Sequence, residues 1–270
     1  MRFPFGSTAQ ETTWRKPVPT KLPELPAVEV AALYRAARIG GDFYDFLQAN
    51  DSKLLFLLMD IAGKRDAALH IAAHAQDLFR ERGRALWNAP DAEDAGAVTT
   101  LLLEMNRAII AASNGVCCAP AFLGCYDSDI STVTYINAGH TSGILKDEDG
   151  TLLLEANGLP LGLFSHATHE CQFCALRPGA ALVLVSKGLV ENRTNGQEFG
   201  LGRVQQAIGE VSFSSAAEAG EMVLEAVRRY EDQPSRFGPN LNFAGLGTHE
   251  PNDVTTLVLM RKRAAAAVPA

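Results

Sequence analysis

Two short stretches of the chain combine carboxylates with glycines beside apolar segments. Residues 40–45 read GGDFYD and residues 59–64 read MDIAGK, so Asp42 and Asp60 each lie at one end of a strand-like run. Hard divalent ions such as Mg²⁺ and Mn²⁺ prefer carboxylate and carbonyl oxygens. Two such ions about 3.5–4 Å apart can clamp a phosphoryl group and generate a hydroxide nucleophile. The residue types therefore indicate a metal-assisted phosphate site, which needs several acids from different strands.

The hydrophobic pattern predicts the elements that position these acids. Continuous apolar runs predict buried strands, one of which ends at Asp60, whereas apolar residues three or four apart predict helices. The predicted order is strands at 28–35 and 54–59, helices at 66–86 and 98–109, strands at 121–126, 132–137, 143–146, 152–155, 169–175 and 181–186, helices at 201–208 and 215–230, and a strand at 254–261. This order favours an α+β sandwich of two mostly antiparallel sheets with helices outside.

Composition divides the chain into three parts. Residues 1–26 are polar and interrupted by prolines, which predicts an extended arm or linker. Residues 27–263 form the predicted globular domain, and the alanine-rich residues 264–270 form a predicted disordered tail. Within the domain, residues 232–252 are rich in Gly, Pro and Asn and lack periodicity, and so long a loop is usually functional or disordered.

Charge and cysteine content narrow the function classes. The 270-residue chain has a formal net charge of -7, and its longest basic cluster is Arg261–Arg263, which argues against nucleic-acid binding. No apolar run approaches the roughly 20 residues of a spanning helix, and residues 1–26 contain no export signal pattern. The five cysteines form an odd set without zinc-ribbon spacing. We expect a cytoplasmic protein that binds neither nucleic acid nor membrane.

Further motifs follow the two acidic stretches in a characteristic order. They are YINAGH at 135–140, GLPLGL at 158–163, SKGLVE at 186–191, EFG at 198–200 and NDVT at 252–255. Together with the acidic stretches, this order resembles the metal-dependent 2C-type (PPM) serine/threonine protein phosphatases, in the bacterial branch typified by SpoIIE and RsbU. The resemblance covers residues 27–263. It implies a four-layer α-β-β-α sandwich and, in active members, two Mn²⁺ or Mg²⁺ ions at one edge of it.

The resemblance also implies roles for individual residues. Asp42 matches an acid that holds one ion, Asp60 matches the acid that bridges both ions, and Ile61 would lend its backbone carbonyl. Lys187 and Asn252 stand where the family has acids for the ion that Asp60 also touches. A protonated lysine cannot ligate and would repel a divalent cation by roughly several kcal/mol at an intermediate dielectric, while asparagine offers a neutral oxygen. We expect one ion or none, and impaired two-metal catalysis.

Three nearby residues have competing interpretations. Arg38, four residues before Asp42, is a candidate phosphate-binding residue because guanidinium suits bidentate phosphate contacts, and a solvated surface arginine is the equal alternative. Asp45 is interpreted as a structural or supporting acid rather than a ligand. Asp253 neighbours Asn252, but adjacent side chains on a strand point to opposite faces, so Asp253 could substitute as a ligand only if the strand end is distorted.

Three other groups could carry chemistry. His70 and His74 lie one helical turn apart, and a packed or solvated pair is favoured over a zinc site. His140 is interpreted as stabilising a tight connection rather than as a catalytic acid. Cys171 and Cys174 form C-x-x-C on a predicted strand, where they would face opposite sides, which argues against a redox or zinc role.

Three functional hypotheses follow. The first is a phosphatase whose substrate is a phosphoserine or phosphothreonine protein, such as an anti-sigma-factor antagonist. The second is a catalytically inactive pseudophosphatase that binds a regulatory partner through the former substrate surface and residues 232–252. The third is a structural subunit whose N-terminal arm, residues 1–26, mediates dimerisation, so an oligomer is possible.

Overall fold

Two antiparallel sheets form the centre of the computed structural model, which describes residues 15–35, 41–113, 117–209, 212–233 and 253–263. The strands in this part of the chain are β1 (Val28–Arg35), β2 (Asp42–Gln48), β3 (Lys53–Asp60), β4 (Ala121–Asp127), β5 (Thr132–Ala138), β6 (Gly143–Asp147), β7 (Gly150–Leu154), β8 (Gln172–Ala175), β9 (Ala181–Val185), β10 (Arg193–Thr194), β11 (Gln197–Glu198) and β12 (Val254–Arg261). The first large sheet has the order β1-β12-β9-β6-β7, and the second has the order β2-β3-β4-β5-β8. The strands β10 and β11 form a separate hairpin.

The helices cover the outer faces of both sheets. They are α1 (Arg65–Trp87), α2 (Asp94–Ala112), α3 (Lys187–Val190), α4 (Leu201–Gly209) and α5 (Ala216–Glu231). The pair α1 and α2 packs on the second sheet, whereas α4 and α5 pack on the first. A separate apolar cluster lies between the sheets, where Phe122 of β4 packs with Leu182 of β9 and Leu257 of β12. This arrangement confirms the predicted four-layer α-β-β-α sandwich.

Some elements differ from the sequence expectation. β2 was not among the predicted strands, since its pattern of Asp, Tyr and Gln weakens the apolar signal. The strand predicted at 169–175 is shorter, because residues 169–171 precede β8 and carry no regular structure. The short helix α3, which begins at Lys187, and the β10–β11 hairpin are further additions. Nearly all of the predicted loop at 232–252 falls outside the described residues.

Residues 15–25 follow the surface of α1 and β2 without regular secondary structure. Gln76 of α1 accepts a hydrogen bond from the Val18 backbone N–H at 2.8 Å and donates one to the Val18 carbonyl at 2.9 Å. Leu25 is buried in the cluster between the sheets. This part of the arm therefore packs on its own domain, while the boundaries drawn at residues 26 and 263 stay predictions.

Helix α2 is the one described helix that is long and apolar enough to cross a membrane, with a mean hydropathy of 1.2. In the fold it packs on α1, β4 and β5. Its residues Leu101, Leu102 and Met105 are fully buried in that contact. A core helix meets the same criteria of length and composition, so this feature is weak evidence for a membrane segment.

Candidate functional site at the edge of the sandwich

Asp42 and Asp60 lie side by side at one edge of the second sheet. Asp42 is the first residue of β2 and Asp60 is the last residue of β3, and the two are directly opposite each other in the antiparallel register. The structure thus brings together the two acids that the sequence singled out. Burial is the main cause that raises the pKa of Asp60 above its ordinary value.

Backbone contacts hold the two strand ends together just beyond the acids. The Ile61 N–H donates to the Gly41 carbonyl at 2.9 Å. A Cβ atom at Gly41 would lie 1.9 Å from the Ile61 carbonyl oxygen, so this position admits only glycine without a shift of the backbone. The second glycine of the GGD motif therefore allows β2 and the residue after Asp60 to approach closely.

Residues of the first sheet reach Asp42 across the sandwich. The hydroxyl of Thr255 donates to Asp42 Oδ2 at 2.6 Å, and the buried Ser186 hydroxyl accepts from the Thr255 N–H at 3.1 Å. Burial raises the pKa of Asp42 to about 7, and the charges of Asp60 and Asp253 act in the same direction. Hydrogen bonds from Thr255 and Ser186 partly oppose this rise. The site therefore concentrates negative charge that favours either a proton or a cation.

Asp253 belongs to this electrostatic cluster, whereas the sequence analysis admitted it to the site only if the strand end is distorted. Its side chain is 2% exposed, and its charge raises the pKa of both Asp42 and Asp60. The Tyr34 hydroxyl donates to Asp253 Oδ2 at 2.8 Å, and an Arg65 nitrogen lies 3.9 Å from Oδ1. Asp253 and Thr255 are two residues apart, and alternate residues of an extended chain point to the same side. Since Thr255 contacts Asp42, this spacing could have predicted that Asp253 faces the site.

Lys187 lies at the same edge as the first residue of α3. Its ammonium is 3.4 Å from Glu191 Oε1, and its side chain is 57% exposed. The positive charge of Lys187 is the main influence that lowers the pKa of Asp60, against the larger effect of burial. Lys187 therefore acts on the acid that the family resemblance assigns to both ions.

Two predicted site residues, Arg38 and Asn252, lie outside the described residues, so their roles stay predictions. Within the described ranges, no group of three or more His, Cys, Asp or Glu side chains is arranged to hold a metal ion. Any ion at this edge would need backbone oxygens, water or residues beyond those ranges in addition to Asp42 and Asp60.

Other candidate residues have structural surroundings. Asp45 is fully buried and paired with Arg80, with Nε to Oδ2 at 2.7 Å. The rings of His70 and His74 are in edge contact, with centroids 4.5 Å apart. Cys171 packs with the cluster under α1 and α2, whereas Cys174 packs between the sheets, so the two face opposite sides as predicted. The five cysteines all fall within the described ranges and are free.

His140 is buried in the connection after β5. Asn137 Oδ1 accepts from the His140 backbone N–H at 2.8 Å, and the ring Nδ1 lies 3.1 Å from the Thr141 carbonyl, to which it donates. The ring Nε2 has no hydrogen-bond partner within the described structure. Burial lowers the pKa of His140 to about 4. These contacts agree with the structural interpretation of the NAGH motif.

The buried His140 should make folding sensitive to acid. Because its pKa of about 4 in the folded state lies below the ordinary 6.5, the unfolded state binds the extra proton between these values. The His140 contribution is therefore constant above pH 6.5 and should fall by about 3 kcal/mol as the pH drops to 4, while the raised pKa values of Asp42 and Asp60 act in the opposite direction, so the His140 share is read from the difference between the wild type and the variant. Urea unfolding at pH 7.0 and pH 4.5 measures this loss, which should shrink in His140→Gln. The same substitution at the exposed His166 is the control, and an equal acid loss in His140→Gln would contradict the assignment.

Known proteins share this architecture. The SpoIIE PP2C phosphatase domain with a regulatory fragment, from Bacillus subtilis, superposes with a TM-score of 0.65 at 16% identity, covering 88% of this chain and 64% of that one. The RsbU and RsbW domains of a Mycobacterium tuberculosis protein give 0.68 at 20% identity, with coverages of 91% and 62%. The catalytic domain of the phosphatase PstP, in complex with two manganese ions, gives 0.59 at 14%, with coverages of 87% and 99%. The sandwich is therefore a PP2C-type phosphatase fold.

Sequence comparison identifies the family. The model for stage II sporulation protein E (SpoIIE) matches residues 50–261, and the chain belongs to this SpoIIE family. The phosphoserine phosphatase RsbU of Bacillus subtilis is 26% identical over 219 residues, which cover 79% of this chain. The chain spans 62% of the length of RsbU.

Proposed function

We propose that this chain is a SpoIIE/RsbU-type phosphoserine/phosphothreonine protein phosphatase domain of partner-switching signalling in which two-metal catalysis is impaired. The observation that carries the proposal is the position of Lys187, whose positive charge acts on Asp60 at the site edge. An ammonium there opposes a second divalent cation, by an amount that its 57% exposure and its contact with Glu191 reduce. Asn252, the other departure from the family pattern, would weaken the binding of the same ion.

The residues present suit one ion, Mn²⁺ or Mg²⁺, better than two. Asp42 and Asp60 would hold it together with the Ile61 carbonyl, since Mg²⁺ is often bound by one or two carboxylates and otherwise keeps its waters. The raised pKa of both acids supports this, because clustered buried carboxylates need a compensating cation. Such an ion would supply Lewis-acid polarisation and a nucleophilic water at neutral pH.

The protein side chains would divide the remaining tasks. Thr255 orients Asp42 through its 2.6 Å hydrogen bond, and Asp42 can hold a proton when no cation is present because its pKa is about 7. Arg38 is proposed to contact the substrate phosphate, and Lys187 to supply positive charge beside Asp60. The substrate would be a cytoplasmic phosphoprotein, such as an anti-sigma-factor antagonist, and the domain would then act in sigma-factor regulation.

A catalytically inactive pseudophosphatase is the second candidate. It is favoured by the Lys187–Glu191 contact at 3.4 Å, since a lysine engaged with its own helix offers a cation in place of a ligand. The domain would then bind a partner protein through the former substrate surface. Dimerisation through the arm is less favoured, because residues 15–25 contact α1 and β2 of the same chain.

The two candidates differ in their response to Mn²⁺. If one-metal chemistry persists, the wild type should hydrolyse p-nitrophenyl phosphate weakly with millimolar Mn²⁺. Asp60→Asn should then lower kcat/KM at least about a hundredfold, equal to about 2.7 kcal/mol of transition-state stabilisation. Asp149→Asn, at an exposed turn acid, is the control that should retain activity. No Mn²⁺-dependent signal in the wild type would support the pseudophosphatase.

A further inference from the structure

A ladder of backbone hydrogen bonds runs sideways from the acid pair. Next to the Gly41–Ile61 contact, the Asp60 N–H donates to the Pro120 carbonyl at 3.0 Å. The Ala62 N–H donates to the Cys118 carbonyl at 2.9 Å. The segment that carries Asp60 and the Ile61 carbonyl is therefore held on its second side by residues 118–120, which lead into β4.

The ladder continues into the GLPLGL motif. Ala119 and Leu161 exchange two backbone hydrogen bonds, at 2.9 and 3.0 Å. Gly162 has a φ of +83°, and a Cβ atom there would lie 2.3 Å from the Cys117 carbonyl oxygen. The close approach and the left-handed backbone explain why glycine stands at this position. Residues 161–162 thus form the outermost rung beside residues 117–119.

One buried side chain secures this rung to helix α2. Asn106 is 1% exposed, and its Oδ1 accepts from the Gly162 N–H at 2.8 Å. Its Nδ2 donates to the Phe164 carbonyl at 2.9 Å. The amide therefore uses both of its ends on the loop that supports residues 117–119.

We infer that Asn106 is a positioning residue for the Asp60 end of the site, acting through residues 161–162 and 118–120. The inference rests on the proposed function, because that function is the reason why Asp60 must be held in position. Asn106 contacts neither acid. Asn106 would hold the loop in register. Without its side-chain amide, the Gly162 N–H and the Phe164 carbonyl would lose their partner, and the loop would rearrange because an unpaired buried backbone group is costly.

The chain provides a matched control for the two hydrogen bonds of Asn106. Gln76 on α1 is also buried, at 2% exposed, and its amide likewise holds one backbone N–H and one carbonyl, both of Val18. Asn106→Asp and Gln76→Glu make the same chemical change, since each keeps the acceptor and replaces the donor by a carboxylate oxygen facing a carbonyl. Only the first change lies on the ladder to Asp60.

Amide hydrogen exchange of the full chain without added metal tests the inference. Asn106→Asp should speed exchange of the Asp60 and Ala62 amides at least about tenfold relative to the Leu257 amide in β12, whereas Gln76→Glu should leave that ratio unchanged. Asn106→Ser, a smaller change, should give the same pattern if the aspartate variant folds poorly. Unchanged Asp60 and Ala62 amides beside a faster Gly162 amide would overturn the inference, as would equal acceleration at Leu257.

A Mn²⁺ titration separates this inference from the proposed function. If the wild type binds Mn²⁺, calorimetry should show about tenfold weaker binding in Asn106→Asp and no change in Gln76→Glu. If the wild type binds no Mn²⁺, the one-ion proposal fails, and the exchange ratio still decides whether Asn106 positions Asp60.

Discussion

Replacing Arg80 with methionine is expected to lower the free energy of unfolding by about 3–5 kcal/mol, because it leaves a buried carboxylate without its cation. Asp45 is fully buried, and Arg80 donates to both of its oxygens, at 2.7 and 3.0 Å. The remaining polar partners, the Thr20 hydroxyl at 2.8 Å and the Phe46 N–H at 3.0 Å, carry no charge. Methionine keeps most of the apolar stem, so the loss reports the charge rather than packing. Urea unfolding at pH 7 gives the measurement.

Arg82, on the same helix as Arg80, forms a second bidentate pair and provides the control. Arg82 donates to both oxygens of Glu104, at 2.6 and 2.9 Å, but these side chains are 40% and 27% exposed. Water screens such a pair, so Arg82→Met should cost only a small fraction of the Arg80→Met loss. Adding Asp45→Asn to Arg80→Met should recover part of the loss, since the stranded charge is removed. Equal costs for Arg80→Met and Arg82→Met would show that burial of Asp45 does not govern this interaction.

The sequence predicted the elements whose pattern is regular and missed those that depend on distant contacts. The buried run ending at Asp60 identified β3 because continuous apolar residues need both faces covered. β2 alternates less clearly, since Asp45 is buried by pairing with Arg80 rather than by being apolar. The expectation that Cys171 and Cys174 face opposite sides was confirmed, because side-chain alternation is a local property of an extended chain.

The candidate site shows the same division. Asp42 and Asp60 were predicted together from motifs, and the register of β2 with β3 places them opposite each other. The part played by Asp253 depends on Tyr34 and Arg65, which come from β1 and α1 and have no motif in common with it. No sequence motif singled out Asn106. Its contact to Gly162 spans 56 residues and could not be inferred from spacing.

Restoring acids at positions 187 and 252 should strengthen Mn²⁺ binding at least about a hundredfold, which corresponds to about 2.7 kcal/mol. Lys187→Asp removes the positive charge that acts on Asp60 and supplies a carboxylate at the same edge. Asn252→Asp adds a second carboxylate at the position that precedes Asp253 in the sequence. Each unit of charge near a divalent ion contributes on the order of several kcal/mol at an intermediate dielectric, so the double variant should also gain Mn²⁺-dependent hydrolysis of p-nitrophenyl phosphate.

Two comparisons separate the ligand effect from a general effect of charge. Lys187→Met removes the ammonium without adding a ligand, so it should recover only a minor part of the gain. Lys146→Asp makes the same charge change at the opposite end of β9, where Lys146 pairs with Ala181, and should leave Mn²⁺ affinity within about twofold because salt screens distant charges. Calorimetric titration measures all four proteins. If the wild type binds two Mn²⁺ ions as tightly as the double variant, Lys187 does not impair the site, and the family chemistry is intact despite the lysine.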